Sequence, residues 1–435
     1  MKKQSLPAVR RGATPMASKL RPSEIKRKEI ASMIQSKSED LLMDFFRKSS
    51  ELVLQNSLEE EVTDFLQRDW HQQSKEPRGY RNGYYDRKIK SSEGAVNVKI
   101  PRVRDTEEEF ESSILHHVRS LEKKIEKLTV EMYVRGLSTR DIEDTFVDES
   151  GKTFLSRSVV SGLTETLNEE YRLFCERDLS SYDIVYLFVD GVYESIRRYT
   201  NNQTILCAWA ICSDGRKVLL HIEAAQSESE DSWSVFFEGM INRGLRQPLA
   251  LISDGHKGLK NAITRVFPNA KRQRCIAHKL RNILNKVPHH VQHEVKDLVK
   301  MVYYAADRDT AEYIAGQVIE KYAEVYPAMV RCFQEDLDAC LTHLDFPDGH
   351  RRLIRTTNLI ERSFVEEKRR TKIIPQHQNE KGAMKLVYGT LIRSAARWQR
   401  VTMSDLDLTI LKNLKKTITG KIVSDEDRIS YLLAV

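Results

Sequence analysis

No apolar run in this 435-residue chain approaches the roughly 18–20 residues needed to cross a bilayer. The basic amino terminus also lacks the apolar stretch of a secretory signal. Cysteine is sparse and scattered: Cys175, Cys207, Cys212, Cys275, Cys332 and Cys340 form no Cys-x-x-Cys pair. That pattern favours reduced thiols over a disulfide framework, and with the missing signal it predicts a soluble cytoplasmic protein with no membrane partner. Internal repeats and long low-complexity tracts are missing too. Charge of one sign is barely in excess, 70 Lys and Arg against 63 Asp and Glu for a net +7, so overall charge only hints at nucleic acid.

The hydrophobic content of 40% suffices for one large core with smaller satellites, roughly two to four domains. The local distribution of charge says more than the total. Lys2, Lys3, Arg10, Arg11 and Lys19 crowd an amino-terminal arm that suits phosphate contacts, and residues 24–66 carry helical periodicity, so 1–66 is taken as a basic arm with a helical region. Across 67–105, Arg78, Arg81, Arg87, Lys88, Lys90, Lys99, Arg102 and Arg104 interleave with Trp70, Tyr80, Tyr84 and Tyr85. Val96, Val98 and Ile100 alternate after a Glu93-Gly94 turn, which predicts a β-hairpin. Such a hairpin either grips a nucleic-acid backbone or is a solvated element with ordinary surface charge.

Residues 106–178 have the punctuation of a helix-turn-helix. One helix ends near Gly136, Ser138 caps the next with Asp141 three residues on, and a third begins around Ser156–Ser158. Arg140 and Arg157 are its candidate DNA contacts, although plain helical packing explains the pattern equally well. From 179 the pattern turns to strands: Ile184–Val189, Gln203–Cys212 and Val218–Ile222, then a helix around Trp233–Asn242. A fourth strand at Leu249–Ser253, a helix over Lys257–Phe267 and a short strand near Gln273–Ile276 complete 179–278. Three hairpin-linked strands followed by alternating helix and strand predict an α/β fold with a mixed sheet, the order of RNase H-like enzymes. Residues 279–350 read as an all-helical insertion, with Val287, Val291, Val295, Leu298 and Val302 as its first stripe. Within 351–400, Thr357 and Asn358 open a final core helix bearing Glu361, and 401–435 is a helical tail. Trp233 reads as a buried anchor of its helix over the sheet.

Asp190 and Asp254 each sit where an apolar strand meets glycine. Alone, an Asp-Gly step is a turn signal. Two on strands of one sheet, followed by Glu361 on a helix, point instead to a site held by rigid elements. The separations, 254 − 190 = 64 and 361 − 254 = 107, leave room for the intervening elements. Three such acids suit phosphodiester chemistry, in which two Mg²⁺ ions, replaceable by Mn²⁺, take hard oxygen ligands roughly 3.5–4 Å apart. An ion pair of Glu361 with Arg362 is the structural alternative. Lys368, Arg369, Arg370 and Lys372 follow Glu361, either facing bound DNA or simply solvated.

Five segments carry a family resemblance: Gly136-Leu-Ser-Thr-Arg-Asp-Ile142, Asp190-Gly-Val-Tyr193, Ser253-Asp-Gly-His-Lys-Gly-Leu259, Arg274-Cys-Ile-Ala-His-Lys-Leu-Arg-Asn-Ile283 and Thr356-Thr-Asn-Leu-Ile-Glu-Arg362. Along nearly its whole length the sequence resembles bacterial Mutator-type insertion-sequence transposases of the Asp-Asp-Glu class. The resemblance implies an RNase H-like core with a helical insertion, and a catalytic triad of Asp190, Asp254 and Glu361. It also implies double-stranded DNA as partner, both terminal inverted repeats and target, with His256 and Lys257 as further contacts. A homodimer or larger assembly and a nucleoid-associated bacterial protein are expected. The family's Cys-x-x-His element is matched by Cys275 and His278. Only two of the four ligands of a structural zinc site are present locally, and His289, His290 and His293 would have to complete it, so packing or DNA positioning is the preferred role. Ile276 stands where family members often carry Trp. Two other readings keep the fold, a DNA-binding regulator without catalysis and a metal-dependent nuclease or resolvase that cuts without joining.

Overall fold

The computed structural model describes residues 20–35, 41–91, 94–147, 153, 155–194, 203–371, 380–396 and 398–419. The chain forms two compact units, Met1–Thr129 with Thr139–Val160, and Val130–Ser138 with Ser161–Val435. In the first, helices α1 (Pro22–Gln35) and α2 (Leu41–Leu66) accompany an antiparallel hairpin of β1 (Tyr80–Ser91) and β2 (Gly94–Arg104). The alternation read from the sequence is real: Val96, Val98 and Ile100 are buried with Leu58 of α2. Polar side chains of α2 satisfy the free edge of β2, which would otherwise offer unpaired backbone groups. Gln55 accepts from Lys99 N–H and donates to its carbonyl, both at 2.8 Å, and Glu51 accepts from Asn97 N–H at 3.0 Å. Helices α3 (Ser113–Val134), α4 (Thr139–Thr145) and α5 (Arg157–Thr164) lie where the caps placed them. Gly136 takes the left-handed backbone (φ +103°) that ends α3.

The second unit begins with α6 (Thr166–Glu176) and contains β3 (Ile184–Glu194), β4 (Gln203–Cys212), β5 (Lys217–Ala225), α7 (Glu230–Asn242), β6 (Ala250–Ser253), α8 (Lys257–Val266) and β7 (Lys271–Arg274). The strands form one mixed five-stranded sheet in the order β5-β4-β3-β6-β7. β4 is antiparallel to both β3 and β5, while β6 runs parallel to β3 and β7 parallel to β6. Both faces are covered. Leu187, Val189 and Leu251 face Trp233, Phe236 and Phe237 of α7 and Leu259 of α8, and Trp233 is fully buried there as an anchor. Tyr186, Phe188 and Ile252 face the opposite helical layer.

Beyond the sheet the chain is helical: α9 (Ile276–Leu284), α10 (Gln292–Tyr303), α11 (Arg308–Tyr322), α12 (Pro327–Gln334), α13 (Leu337–Leu341) and α14 (Asp348–Ile354). Val287, Val295 and Val302 of the expected stripe are buried in its core, with Val291 and Leu298 packed against them. The last strand differs from the sequence reading. It ends at Arg274: the Cys275 N–H makes a last bond to the Ser253 carbonyl of β6 at 2.8 Å, and Cys275 then caps α9. Helix α15 (Asn358–Thr371) carries Glu361 but is not the final core helix. α16 (Glu380–Ala395) buries Met384, Val387, Tyr388 and Leu391 against the sheet, and α17 (Asp405–Thr419) adds Leu411. Among the described residues no helix is long and apolar enough to cross a membrane.

Candidate active site

Strand alternation aims the first carboxylate. Asp190 follows Tyr186 and Phe188 at every second position of β3, so it points toward the layer holding α15. It lies within the strand rather than at its end, because β3 stays paired with β4 as far as Glu194. β6 runs beside β3 with Phe188 opposite Ile252, and Asp190 and Asp254 each lie two residues further on. The same register therefore sends both side chains to one face of the sheet. Asp254 starts a tight turn in which the His256 N–H reaches its Oδ1 at 2.9 Å.

Neither glycine after these aspartates is there for turn geometry, since neither has a left-handed φ. Each is small because a side chain passes over it. A Cβ on Gly191 would lie 2.5 Å from Glu228 Oε1, and one on Gly255 would overlap the Arg274 guanidinium. Gly258 makes a matching allowance, for a Cβ there would lie 2.7 Å from the Glu228 carbonyl oxygen. The Glu228 segment is thus seated between the two aspartates, and nothing in its acid-rich local sequence signals this.

Glu361 sits in the first turn of α15, where Thr357 Oγ1 donates to its Oε1 at 2.7 Å and His278 Nε2 lies 3.9 Å from the same oxygen. Cys275 joins the elements. Its N–H meets the end of β6, and its sulfur accepts the Thr357 N–H at 3.4 Å at the start of α15. Ligand atoms of Cys275, His278 and Glu361 lie within 4.8 Å of one another, a grouping that leaves out His289, His290 and His293. The Cys-x-x-His element accordingly braces the glutamate helix. Burial raises the Cys275 thiol, yet contacts from His278 and Thr357 hold it below its ordinary value. The same sulfur, then Glu361 and Asp190, pushes His278 up to about 9.

Asp190, Asp254, Glu361 and Glu228 line a single open cleft of about 390 Å³, with His278, Arg281 and Lys368 also on its walls. Burial, then the neighbouring Asp254, pushes Asp190 up to about 8 even though it accepts the Gly191 N–H at 3.0 Å. Burial and Asp254 raise Glu228 as well. Among the described residues no Lys or Arg forms an ion pair with any of these four acids. Their hard oxygens, opposed at close range by His278 alone, fit a divalent cation.

The remaining candidates are dispersed. Lys368 reaches the cleft, but Arg369 and Arg370 turn to Glu366 at 3.0 and 2.7 Å. Lys372 lies outside the described residues. His256 and Lys257 are exposed at the start of α8. In the other unit Arg78 and Arg140 are exposed, and Arg157 stands 3.5 Å from Glu143. Arg81 is occupied internally, donating to Thr63 Oγ1 and to the Arg68 and Asp69 carbonyls while covering the Trp70 ring at 5.4 Å. Sequence reasoning missed Glu228 and Arg281.

Residues 23–401 match the family described as transposase, Mutator family. The chain is 30% identical over 378 residues to the transposase for insertion sequence element IS256 in transposon Tn4001 of Staphylococcus aureus, covering 86% of this chain and 95% of that protein. It is 29% identical over 369 residues to the transposase for insertion sequence element ISRM5 of Rhizobium meliloti (strain 1021), with 83% and 92% covered. Similarity to the transposase for insertion sequence element IS6120 of Mycolicibacterium smegmatis is 32% over 276 residues, with 63% and 85% covered.

Proposed function

Because the chain belongs to the Mutator family of transposases, we propose that it is an Asp-Asp-Glu enzyme that binds the terminal inverted repeats of its own element, cleaves a DNA strand to free a 3′-hydroxyl, and joins that end to another strand. One observation carries the reading: Asp190 and Asp254, from neighbouring strands, share a cleft with Glu361 from a packed helix. The strand order, with β4 alone running against the others, supports an RNase H-like core.

Asp190, Asp254 and Glu361 would hold Mg²⁺ or Mn²⁺, with Glu228 as a fourth oxygen donor. The bound ions would activate the attacking oxygen and stabilise the leaving oxygen of a phosphodiester. The sheet fixes the two aspartates, while Thr357 and His278 orient Glu361. Arg281 and Lys368 offer positive charge at the walls of the cleft to flanking phosphates. Two element ends handled together call for a dimer or larger assembly.

The test is Asp190→Asn on a labelled terminal-repeat duplex. Mg²⁺-dependent cleavage and joining should fall by roughly a thousandfold or more, with DNA binding and fold retained. Retained joining would sink the assignment. Wild-type protein that binds DNA but cuts with neither Mg²⁺ nor Mn²⁺ would mark a regulator, and hydrolysed products alone would mark a nuclease.

A further inference from the structure

Helix α15 separates two cavities of opposite charge. Glu361, Phe364, Val365 and Lys368 line the carboxylate cleft, at the three- and four-residue spacing of one helical face. Asn358, Leu359 and Arg362 line a second, larger groove of about 720 Å³ on the adjoining face. Lys217 of β5, Arg352 of α14, Arg362 of α15 and Arg400 converge on it, and no carboxylate lines it.

These cations are uncompensated. Among the described residues none of the four makes an ion pair or a hydrogen bond to an acid. Asp214 is the acid felt by Arg400, and it is already engaged by Arg216 at Nε and at its backbone N–H. Burial, then the nearby Arg362, lowers Lys217, as expected where like charges converge without a partner. The groove is also built rather than incidental. Val401 donates its N–H to the Gly215 carbonyl at 2.9 Å, and its own carbonyl oxygen occupies the space a side chain at 215 would need. Trp398, in the same segment, packs on the fully buried Trp209 with ring centroids 4.4 Å apart. Both contacts fix the segment that carries Arg400 to the sheet.

Four cations held by separate elements, none of them ion-paired to an acid, suit a polyanion. We infer that this groove binds the phosphodiester backbone of a DNA strand that also crosses the carboxylate cleft, which deepens the transposase reading and rests on it. The strand belongs to the element end or to the target; the chemistry of recognition is the same.

The experiment compares the full-length wild-type chain with a triple variant, Arg352→Gln with Arg362→Gln and Arg400→Gln. Affinity is measured by fluorescence anisotropy across a salt series, on a terminal-repeat duplex and on an unrelated duplex of equal length. The triple variant should bind at least about tenfold more weakly, and the slope of log K against log salt should shrink by roughly two to three, near 0.9 per lost phosphate contact. The matching Arg→Lys triple keeps the charge and should restore both the affinity and the slope. Loss on the terminal-repeat duplex alone identifies the element end, loss on the unrelated duplex alone identifies target DNA, and loss on both shows that either strand is accepted. Affinity and slope unchanged in the Gln triple, with wild-type binding intact, overturn the groove but leave the transposase reading standing. The groove is equally overturned if the Lys triple binds as weakly as the Gln triple. Wild-type protein that binds neither duplex overturns both.

Discussion

Asp336 and Asp190 are two acids of the same compact unit with opposite surroundings. Asp336, in a left-handed backbone conformation before α13, receives Lys260 at 2.9 Å and Arg272 at 2.5 Å, with Arg274 3.8 Å away. Burial opposes its ionisation, yet Lys260 and Arg272 hold it down to about 2. Asp190 has burial and another aspartate for company and is pushed up to about 8. The first acid is neutralised by the fold and ties the helical segment to β7 and α8. The second has no Lys or Arg partner and only His278 to oppose its acidic neighbours, an arrangement that structures keep where a ligand completes the balance. The groove beyond α15 is the same situation with the sign reversed.

Breaking each cluster should therefore fail in a different assay. Asp254→Asn should lower Mg²⁺-dependent strand cleavage by about a thousandfold, some 4 kcal/mol of barrier, without lowering the melting temperature. Activity and melting curves on one preparation check both halves. Asp336→Asn should do the converse, costing about 2 kcal/mol in denaturant unfolding at neutral pH because three buried or half-buried cations lose their anion. The sign follows from the depressed carboxyl. Its contribution is fully present above the ordinary value of 3.8 and is lost as pH falls through about 2, so the variant should show a flatter acid limb. Glu228→Gln should weaken Mn²⁺ binding by about tenfold, read by calorimetry, if its oxygen belongs to the cation's surroundings. Lys368→Ala should weaken DNA binding a few-fold, whereas Arg369→Ala, which removes only an exposed pair with Glu366, should leave binding and stability nearly unchanged.

Four strands of the sheet were legible as apolar runs bounded by turn residues, with Asp190 and Asp254 at the ends of two such runs, whereas β7 is Lys-Arg-Gln-Arg and carries no apolar run. Glu361 was legible through the Thr357-Asn358 helix start. Glu228 was hidden, since its place depends on space left by Gly191 and Gly258, which are distant in sequence. The same gap explains Arg81: basic residues among aromatics suit DNA, but only the fold shows its guanidinium turned inward onto backbone carbonyls and Trp70. The two Asp-Gly steps pointed to a site through their aspartates, but only the fold shows that their glycines make room for Glu228 and Arg274. The basic groove escaped notice because its four cations come from four separate stretches, none of which forms a charge run.

The most direct measurement is a Mn²⁺ titration, followed by electron paramagnetic resonance, of the wild type, an Asp190→Asn/Asp254→Asn double variant and Asp336→Asn. The expected result is saturable binding in the wild type, loss of that binding in the double variant, and its retention in Asp336→Asn. Binding by the double variant as tight as that of the wild type, or none by the wild type, would contradict a metal centre in the carboxylate cleft.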